Sequence, residues 1–203
     1  MKAVREIAMF RSFRNRNYTI FFAGQSVSQI GTWMQKTAIS WVVYSQTQST
    51  FMLGLTVFAS LFPSFLFSIF GGVVSDRFDR YKILLITQVA SLLQSLILTI
   101  FVFSGHYSIA GIIILTTVLG TINAFDVPAR QPLVNQLVKD KSELPNALAL
   151  NSSMVNLARL LGPAVAGLVL EKLGPGICFL FNAGSFIAVI ISLLRMGLKP
   201  YFP

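Results

Sequence analysis

Two cations interrupt stretches of this chain that are otherwise apolar enough to cross a bilayer. Lys36 and Arg159 each extend a stripe of polar side chains spaced mostly four apart, which places each set on one helix face. The stripes consist of Gln25, Gln29, Thr32 and Ser40 with Lys36, and of Ser152 and Asn156 with Arg159. A cation inside a membrane costs roughly 2.5–3.5 kcal/mol on insertion scales, so it usually faces a cavity or a partner. We therefore expect the two faces to line a central cavity that binds a polar ligand.

The residue sets that covalent catalysis needs are missing from the sequence. It contains one cysteine, Cys178, and one histidine, His106. Most metal sites and Ser-His schemes are therefore excluded, and Cys178 is expected to be a small buried apolar group. The apolar stretches also lack the paired carboxylates of a hydrolase. We expect no catalytic residue, no metal site and no cofactor, and hence no enzyme.

Composition explains where such a cavity could form. The chain has 203 residues, of which 54% are hydrophobic and 11% charged, against roughly 25% charged in soluble domains. A soluble fold of this length could not bury so much apolar surface, so we expect a lipid bilayer around it. The net charge is +9, but the basic residues lie between hydrophobic blocks and not along one face. That distribution argues against nucleic acid as a partner.

Hydropathy predicts an all-α membrane protein with six transmembrane helices, since each span needs about 20 mostly apolar residues. Polar turns at Ser45–Thr50 and Ser104–Ser108 divide two long uncharged stretches. The predicted spans are Tyr18–Tyr44, Met52–Val74, Ile83–Ser104, Ile109–Phe125, Leu144–Leu170 and Ile177–Leu194.

The distribution of Lys and Arg predicts the orientation of the chain. Of the 16 basic residues, 13 lie in the N-terminal arm, the second–third loop, the fourth–fifth connection and the C-terminal tail, whereas the opposite loops hold Lys172 alone. We expect a cytoplasmic basic arm at 1–17, retained because no signal-peptide pattern is present. The six-helix bundle is expected to cover 18–196 and a cytoplasmic tail to cover 197–203. Both termini would then face the cytoplasm. We expect a multi-pass protein of the inner (plasma) membrane.

A short internal repeat accompanies this topology. The segment "GGVVSDRFD" at Gly71–Asp79 aligns with "AGLVLEKLG" at Ala166–Gly174, and the two copies fall on opposite sides of the membrane. Such a match is typical of an inverted three-plus-three repeat, which occurs inside six-helix transporter halves.

The charged turn between the second and third spans carries a family resemblance. The stretch "GGVVSDRFDRYK" resembles the G-x-L-A-D-R-x-G-R-[RK] loop of the major facilitator superfamily, with Asp79 where the family has its later Gly. The residues that fit or nearly fit are Gly72, Val74, Ser75, Asp76, Arg77, Arg80 and Lys82. We expect Gly72 to allow close helix packing, and the resemblance implies a cytoplasmic gate that holds the outward-facing state. The alternative is a turn that only sets topology.

The segment "NAFDVPARQP" is expected to end the fourth span, because Pro128 and Pro132 interrupt helices. Asp126 and Arg130 would then lie at the same membrane face as the charged turn. A network of Asp76, Arg80 and Asp126 resembles the gate of related exporters. The alternative is that Arg130 only contacts lipid headgroups.

A third segment, "LARLLGPAVAGLVL", resembles the fifth-helix signature of the antiporter branch of the superfamily. Gly162 and Gly167 would allow tight helix packing, and Pro163 would permit a bend. The N-terminal run "FRSFRNRNYTIFFAGQSVSQIGTWMQ", with "FDVPARQ" and "NSSMVNLARLLGP", looks like the enterobactin-exporter-like branch. The superfamily's fourth-helix Arg has no counterpart here, where Thr116 and Thr117 stand, so coupling to the proton motive force is implied by the resemblance alone.

The resemblance implies the N-terminal half of a twelve-helix exporter that works by alternating access. A missing C-terminal half, or a second copy in a homodimer, would complete it. Lys36 and Arg159 would be neutralised by acidic groups of the missing half or by a substrate that is itself anionic or a catechol, and we favour the substrate. For Lys36, extension of its ammonium to the outer interface is the alternative. The substrate class is a small molecule, either an anionic or catechol siderophore or a drug-like compound. A truncated inactive half or a membrane-embedded assembly partner is the alternative to an exporter.

Overall fold

The computed structural model describes residues 12–105, 108–138 and 140–196, which form helices joined by short turns without a strand. The all-α prediction is therefore confirmed for this part of the chain. Most of the basic arm, the tail at 197–203, His106 and Lys139 lie outside the described residues. The helices are α1 (Arg16–Thr47), α2 (Thr50–Arg77), α3 (Arg80–Phe103), α4 (Ile109–Leu137), α5 (Leu144–Leu173) and α6 (Pro175–Arg195), with a 3₁₀ turn at Lys141–Glu143 before α5.

Five helices in the described ranges, α2 to α6, are long and apolar enough to cross a membrane. α1 has 32 residues, so it is long enough to span, but its polar side chains make it less apolar. Gln25, Ser28 and Gln35 of α1 are buried inside the protein, where α1 packs mainly against α5 and α6. The sixth span thus stays a prediction, while the multi-pass membrane character is clear.

Large apolar side chains cover the outside of the bundle, most densely on α2. Phe51, Phe65 and Ile69 are 75%, 78% and 77% exposed. A soluble protein rarely leaves so continuous an apolar surface in water. These side chains are expected to face lipid, as the composition predicts.

Buried apolar side chains form two separate clusters. One contains Phe21 of α1 and Leu84 of α3, and the other contains Met34 of α1 and Leu98 of α3. The free thiol of Cys178 is buried in the second cluster. Along α1 and α3 the polar residues lie between the clusters, so the middle of the bundle is where a polar site can form.

The charged turn between α2 and α3 is held by a helix cap. α2 ends at Arg77 and α3 begins at Arg80. The carboxylate of Asp79 accepts a hydrogen bond of 3.0 Å from the backbone N–H of Tyr81, which satisfies one of the free donors at the start of α3. Asp79, which departs from the family loop, therefore has a structural role as the N-cap of α3.

α4 does not end where the sequence predicted. It continues from Phe125 through Pro128 and Pro132 to Leu137. Pro128 cannot donate a helix hydrogen bond, which normally disfavours a helix interior. The segment after it nevertheless buries apolar side chains in the first cluster, where Leu133 is 1% exposed, and this packing outweighs the lost bond.

α2 approaches α4 closely at Gly71, next to the glycine that the sequence analysis singled out, Gly72. A Cβ on Gly71 would overlap the carbonyl oxygen of Ala124 on α4, whereas a Cβ on Gly72 would meet no described atom within 4 Å. Pro128 has no N–H to bond this Ala124 carbonyl, since it stands four residues later. In the described part of the chain, the glycine contact between α2 and α4 is therefore made by Gly71, and close packing at Gly72 stays a prediction.

Candidate functional site

A polar cavity of about 260 Å³ lies between α1, α2, α3 and α4. Apolar side chains and hydroxyl, amide and cationic groups share its wall, and the polar members include Gln29, Lys36, Gln88, Ser91, Asn123 and Arg130. Such groups inside membrane-crossing helices are typical of substrate or ion pathways. The cavity is thus the candidate binding site of the described chain.

Lys36 connects this cavity to a second groove of about 440 Å³ that also contains Trp33 and Pro163. Nζ of Lys36 lies 4.7 Å from the centre of the Trp33 ring, and the guanidinium carbon of Arg159 lies 5.2 Å from the same ring. One indole therefore contacts both of the cations singled out in the sequence. Among the described residues, neither cation has a carboxylate within ion-pair distance.

The predicted polar stripes are only partly brought together. Gln29 and Lys36 line the polar cavity. Gln25 is 1% exposed, and its Nε2 has no hydrogen-bond partner in the described part of the chain. Asn156 and Arg159 lie exposed on α5 and are not part of this cavity wall, so Trp33 is what joins the α5 stripe to the site.

A buried carboxylate lies next to the cavity and contacts two of its wall residues, Gln88 and Arg130. Asp126 of α4 is 2% exposed and accepts hydrogen bonds of 2.8 Å each from the Thr87 hydroxyl and the Gln88 amide of α3. It also forms an ion pair with Arg130, one helical turn later. The described ion pair of Asp126 is the one with Arg130 and involves neither Lys36 nor Arg159.

The charged turn forms a separate ion pair. Arg80 lies 3.6 Å from Asp76, whose side chain is 78% exposed, and Arg77 is exposed beside them. The sequence prediction joined Asp76, Arg80 and Asp126 in one network. In the described residues, Arg80 pairs with Asp76 and Asp126 pairs with Arg130.

Ser75 provides a link between these two pairs. Its backbone carbonyl accepts a hydrogen bond of 3.3 Å from Nε of Arg80. Its hydroxyl donates one of 3.2 Å to the Pro128 carbonyl on α4. The candidate gate residues are therefore brought to one region, through backbone groups that residue types alone do not reveal.

A network of amides that the sequence analysis did not identify holds α1, α3 and α6 together. The Gln35 carbonyl oxygen accepts hydrogen bonds of 2.8 Å from Ser95 and 2.9 Å from Asn182. The Gln35 amide donates one of 3.2 Å to Gln94. All four side chains are buried. Buried amides with matched partners fix helix positions, because separating them leaves unpaired groups in an apolar interior. The sequence offered one signal for this network, because Gln35, Gln94 and Asn182 are amide side chains within apolar stretches.

The predicted packing and hinge residues of α5 differ in their surroundings. Gly162 lies against Trp33, where a Cβ would overlap the Trp33 Cβ, whereas a Cβ on Gly167 would meet no described atom within 4 Å. Pro163 lies within a continuous α5 and lines the groove next to Lys36. Within the described residues, the close packing of α5 is therefore found at Gly162, and a packing role for Gly167 stays a prediction.

Comparison with known proteins is consistent with a site that binds and carries a ligand. The family described as transmembrane secretion effector matches residues 7–199. The staphyloferrin A transporter of Staphylococcus aureus is 31% identical over 175 residues, which is 85% of this chain and 44% of that protein. Macrolide efflux protein A of Streptococcus pyogenes is 26% identical over 160 residues, 79% of this chain and 39% of that protein.

The uncharacterized MFS-type transporter YfiS of Bacillus subtilis is 23% identical over 188 residues, 90% of this chain and 43% of that protein. The chain thus spans less than half the length of these curated relatives. The relatives and the family are transporters and not enzymes. With its apolar helices and polar intramembrane cavity, the chain belongs to the transmembrane secretion effector family of major facilitator superfamily transporters.

Proposed function

We propose that this chain is the N-terminal half of a secondary exporter that carries an acidic or catechol-type small molecule across the inner membrane by alternating access. The carrying observation is Lys36, which lines the polar cavity and has no carboxylate within ion-pair distance in the described residues. A cation inside a membrane needs a compensating charge or water. An acidic substrate supplies that charge only while it is bound.

The pattern of helix packing supports six spans with an inverted repeat. The contact between α2 and α4 corresponds to the one between α5 and α1. The contact between α3 and α4 corresponds to the one between α6 and α1. Exchanging the first three helices with the last three therefore maps each of these main contacts onto another, and it maps the α3–α6 contact onto itself. In this repeat α1 occupies the position equivalent to that of α4. Because α4 is apolar enough to span the membrane, this equivalence supports a membrane-spanning α1.

The names of the relatives leave two substrate classes to compare. One relative is named for staphyloferrin A and another for macrolide efflux. Two uncompensated cations next to the cavity would repel a cationic compound and attract an acidic one. We therefore favour the acidic class. We further propose export from the cytoplasm with both termini cytoplasmic, as the Lys and Arg distribution indicates for the termini. The proton motive force is the proposed energy source.

A second half completes the proposed transporter. The chain spans 44% of the staphyloferrin A transporter, and Lys36, Arg159 and Asn156 are exposed in the absence of further chain. Either a following C-terminal half or a second copy would cover this face. The region of Asp76, Arg80, Asp126 and Arg130 is the proposed cytoplasmic gate.

Transport by inside-out membrane vesicles tests this function. The vesicles contain the protein encoded by the full reading frame that includes this chain, and vesicles without that protein are the control. We expect energised vesicles to accumulate staphyloferrin A in preference to a macrolide, and a protonophore to abolish the accumulation. Preferential accumulation of the macrolide, or transport equal to that of the control vesicles, would contradict the proposal.

A further inference from the structure

An apolar groove of about 460 Å³, here called the lateral groove, lies between α3 and α4 beside the end of α2. Its wall includes Val74 of α2, Ile83 and Ile86 of α3, and Val118 and Phe125 of α4. Ile83 is buried, whereas Ile86 and Val118 are exposed. The lateral groove is therefore a recess in the apolar surface of the bundle, and an apolar occupant gains more burial there than on a flat face.

The two hydroxyl groups in the wall of the lateral groove are already used inside the protein. Thr121 donates a hydrogen bond of 3.0 Å to the carbonyl of Thr117. Thr87 donates one of 2.8 Å to the carboxylate of Asp126. The lateral groove therefore suits a hydrocarbon chain better than a polar ligand.

α4 separates the lateral groove from the polar cavity. Val118 and Phe125 line the groove, whereas Asn123 and Val127 line the cavity. At 3.6 residues per turn, the two pairs lie on opposite faces of the helix. The proposed second half would cover the cavity side, where Lys36 is exposed, so the lateral groove stays open to lipid.

The charged turn next to the lateral groove has two cations to spare. Its two acids are engaged, since Asp76 pairs with Arg80 and Asp79 caps α3. Arg77 and Lys82 are exposed, and neither forms an ion pair with another described residue. The turn can therefore bind an anion from outside the bundle.

Helical spacing places both of these cations at one end of the lateral groove. Arg77 follows Val74 by three residues on α2, and Lys82 precedes Ile86 by four residues on α3. Residues three and four apart are neighbours on the same helix face. Each cation therefore lies one turn beyond the groove wall, at the membrane face where α2 ends and α3 begins.

We propose that the lateral groove binds an anionic phospholipid, with one acyl chain along α3 and its phosphate between Arg77 and Lys82. From Ile83 to Ala90 the groove follows α3 for about 10 Å at 1.5 Å per residue. A charged end at the membrane face and an apolar remainder directed into the membrane match the two parts of a lipid. The site is separate from the polar cavity, so it does not depend on the substrate or direction of transport proposed above.

Native mass spectrometry of the full protein tests the headgroup part of this site. The protein is released from micelles that contain equal amounts of phosphatidylglycerol and phosphatidylcholine with the same acyl chains. We expect it to retain phosphatidylglycerol in preference by at least about 5-fold, the effect of one basic residue near a membrane surface. Arg77→Gln combined with Lys82→Gln should reduce this ratio to about one.

Arg16→Gln combined with Arg195→Gln is the matched control. It also removes two exposed cations, one at the start of α1 and one at the end of α6. Both lie outside the lateral groove wall. The preference for phosphatidylglycerol should survive in this variant, because the total charge alone does not create the site.

The acyl-chain part is tested by filling the lateral groove. Ala90→Phe and Val118→Phe each place a ring in the groove, one from α3 and one from α4. Either should lower the amount of retained phosphatidylglycerol by at least about 4-fold, the effect of one methylene that is no longer buried. Val89→Phe is the control, since Val89 is exposed on α3 and is not part of the groove wall.

Three results would overturn the proposal. Equal retention of the two lipids by the unaltered protein, or a preference that persists without Arg77 and Lys82, would refute the headgroup site. Unchanged retention in both Ala90→Phe and Val118→Phe would show that the headgroup binds without the groove. A lipid-free dimer that Ala90→Phe separates would assign the lateral groove to a second copy of the protein.

Discussion

Nζ of Lys36 lies 4.7 Å from the centre of the Trp33 ring, within the range of a cation–π interaction. Such a contact contributes about 0.5–2 kcal/mol, which is less than the roughly 2.5–3.5 kcal/mol that a cation costs inside a membrane helix. The ring alone therefore does not compensate the charge. The polar cavity, filled with water or an acidic ligand, has to supply the remainder, and this is why we place the substrate there.

The glycine contact between α2 and α4 predicts opposite effects at two adjacent positions. Gly71→Ala places a methyl group against the Ala124 carbonyl, so it should destabilise the protein by about 1–3 kcal/mol through overpacking. Gly72→Ala has open space and should be neutral or stabilising by up to about 1 kcal/mol through helix propensity. Thermal unfolding in detergent measures both. Equal melting temperatures for the two variants would contradict the close α2–α4 contact.

The two ion pairs of the candidate gate should differ strongly in their contribution to stability. Arg130→Met leaves the buried Asp126 carboxylate without its cation, which should destabilise the protein by about 3 kcal/mol or more. Asp76→Asn removes the charge of a carboxylate that is 78% exposed, and should change stability by no more than about 1 kcal/mol. Denaturant unfolding compares them. A larger loss from Asp76→Asn would contradict the burial assigned to Asp126.

The amide network should be needed for stability and not for substrate recognition. Gln35→Leu leaves Asn182 Nδ2 and Gln94 Oε1 without the partners they have now, so we expect a loss of about 2 kcal/mol or more. Gln29→Leu alters the cavity wall instead, and it should reduce transport while the melting temperature stays nearly unchanged. If Gln29→Leu destabilised the protein as much as Gln35→Leu, the distinction between network and cavity would be wrong.

Sequence reasoning predicted the helices well and their ends less well. Hydropathy places the cores of α2 to α6, because a membrane span needs about 20 mostly apolar residues. The end of α4 could not be predicted in this way. Whether a helix continues past Pro128 depends on the tertiary burial of Leu133 and its neighbours, and that burial involves residues far apart in the chain.

The sequence predicted the charged residues of the candidate site but not the side chains that they contact. Lys36 and Arg159 are conspicuous because they are charges in apolar stretches. Their common contact with Trp33 requires α1 and α5 to be adjacent, which no local spacing encodes. The same holds for Gln88 of α3, which lines the cavity and donates a hydrogen bond to Asp126 on α4.

Transport of an acidic solute by a pair of lysine variants tests the central claim most directly. Lys36→Met removes the cation from the polar cavity, whereas Lys172→Met removes an exposed cation near the end of α5. Accumulation of staphyloferrin A is measured in inside-out vesicles that contain equal amounts of each protein. We predict a loss of at least about 10-fold for Lys36→Met, equivalent to 1.4 kcal/mol, and no change for Lys172→Met. Unchanged accumulation by Lys36→Met would contradict the account of an anion-binding cavity.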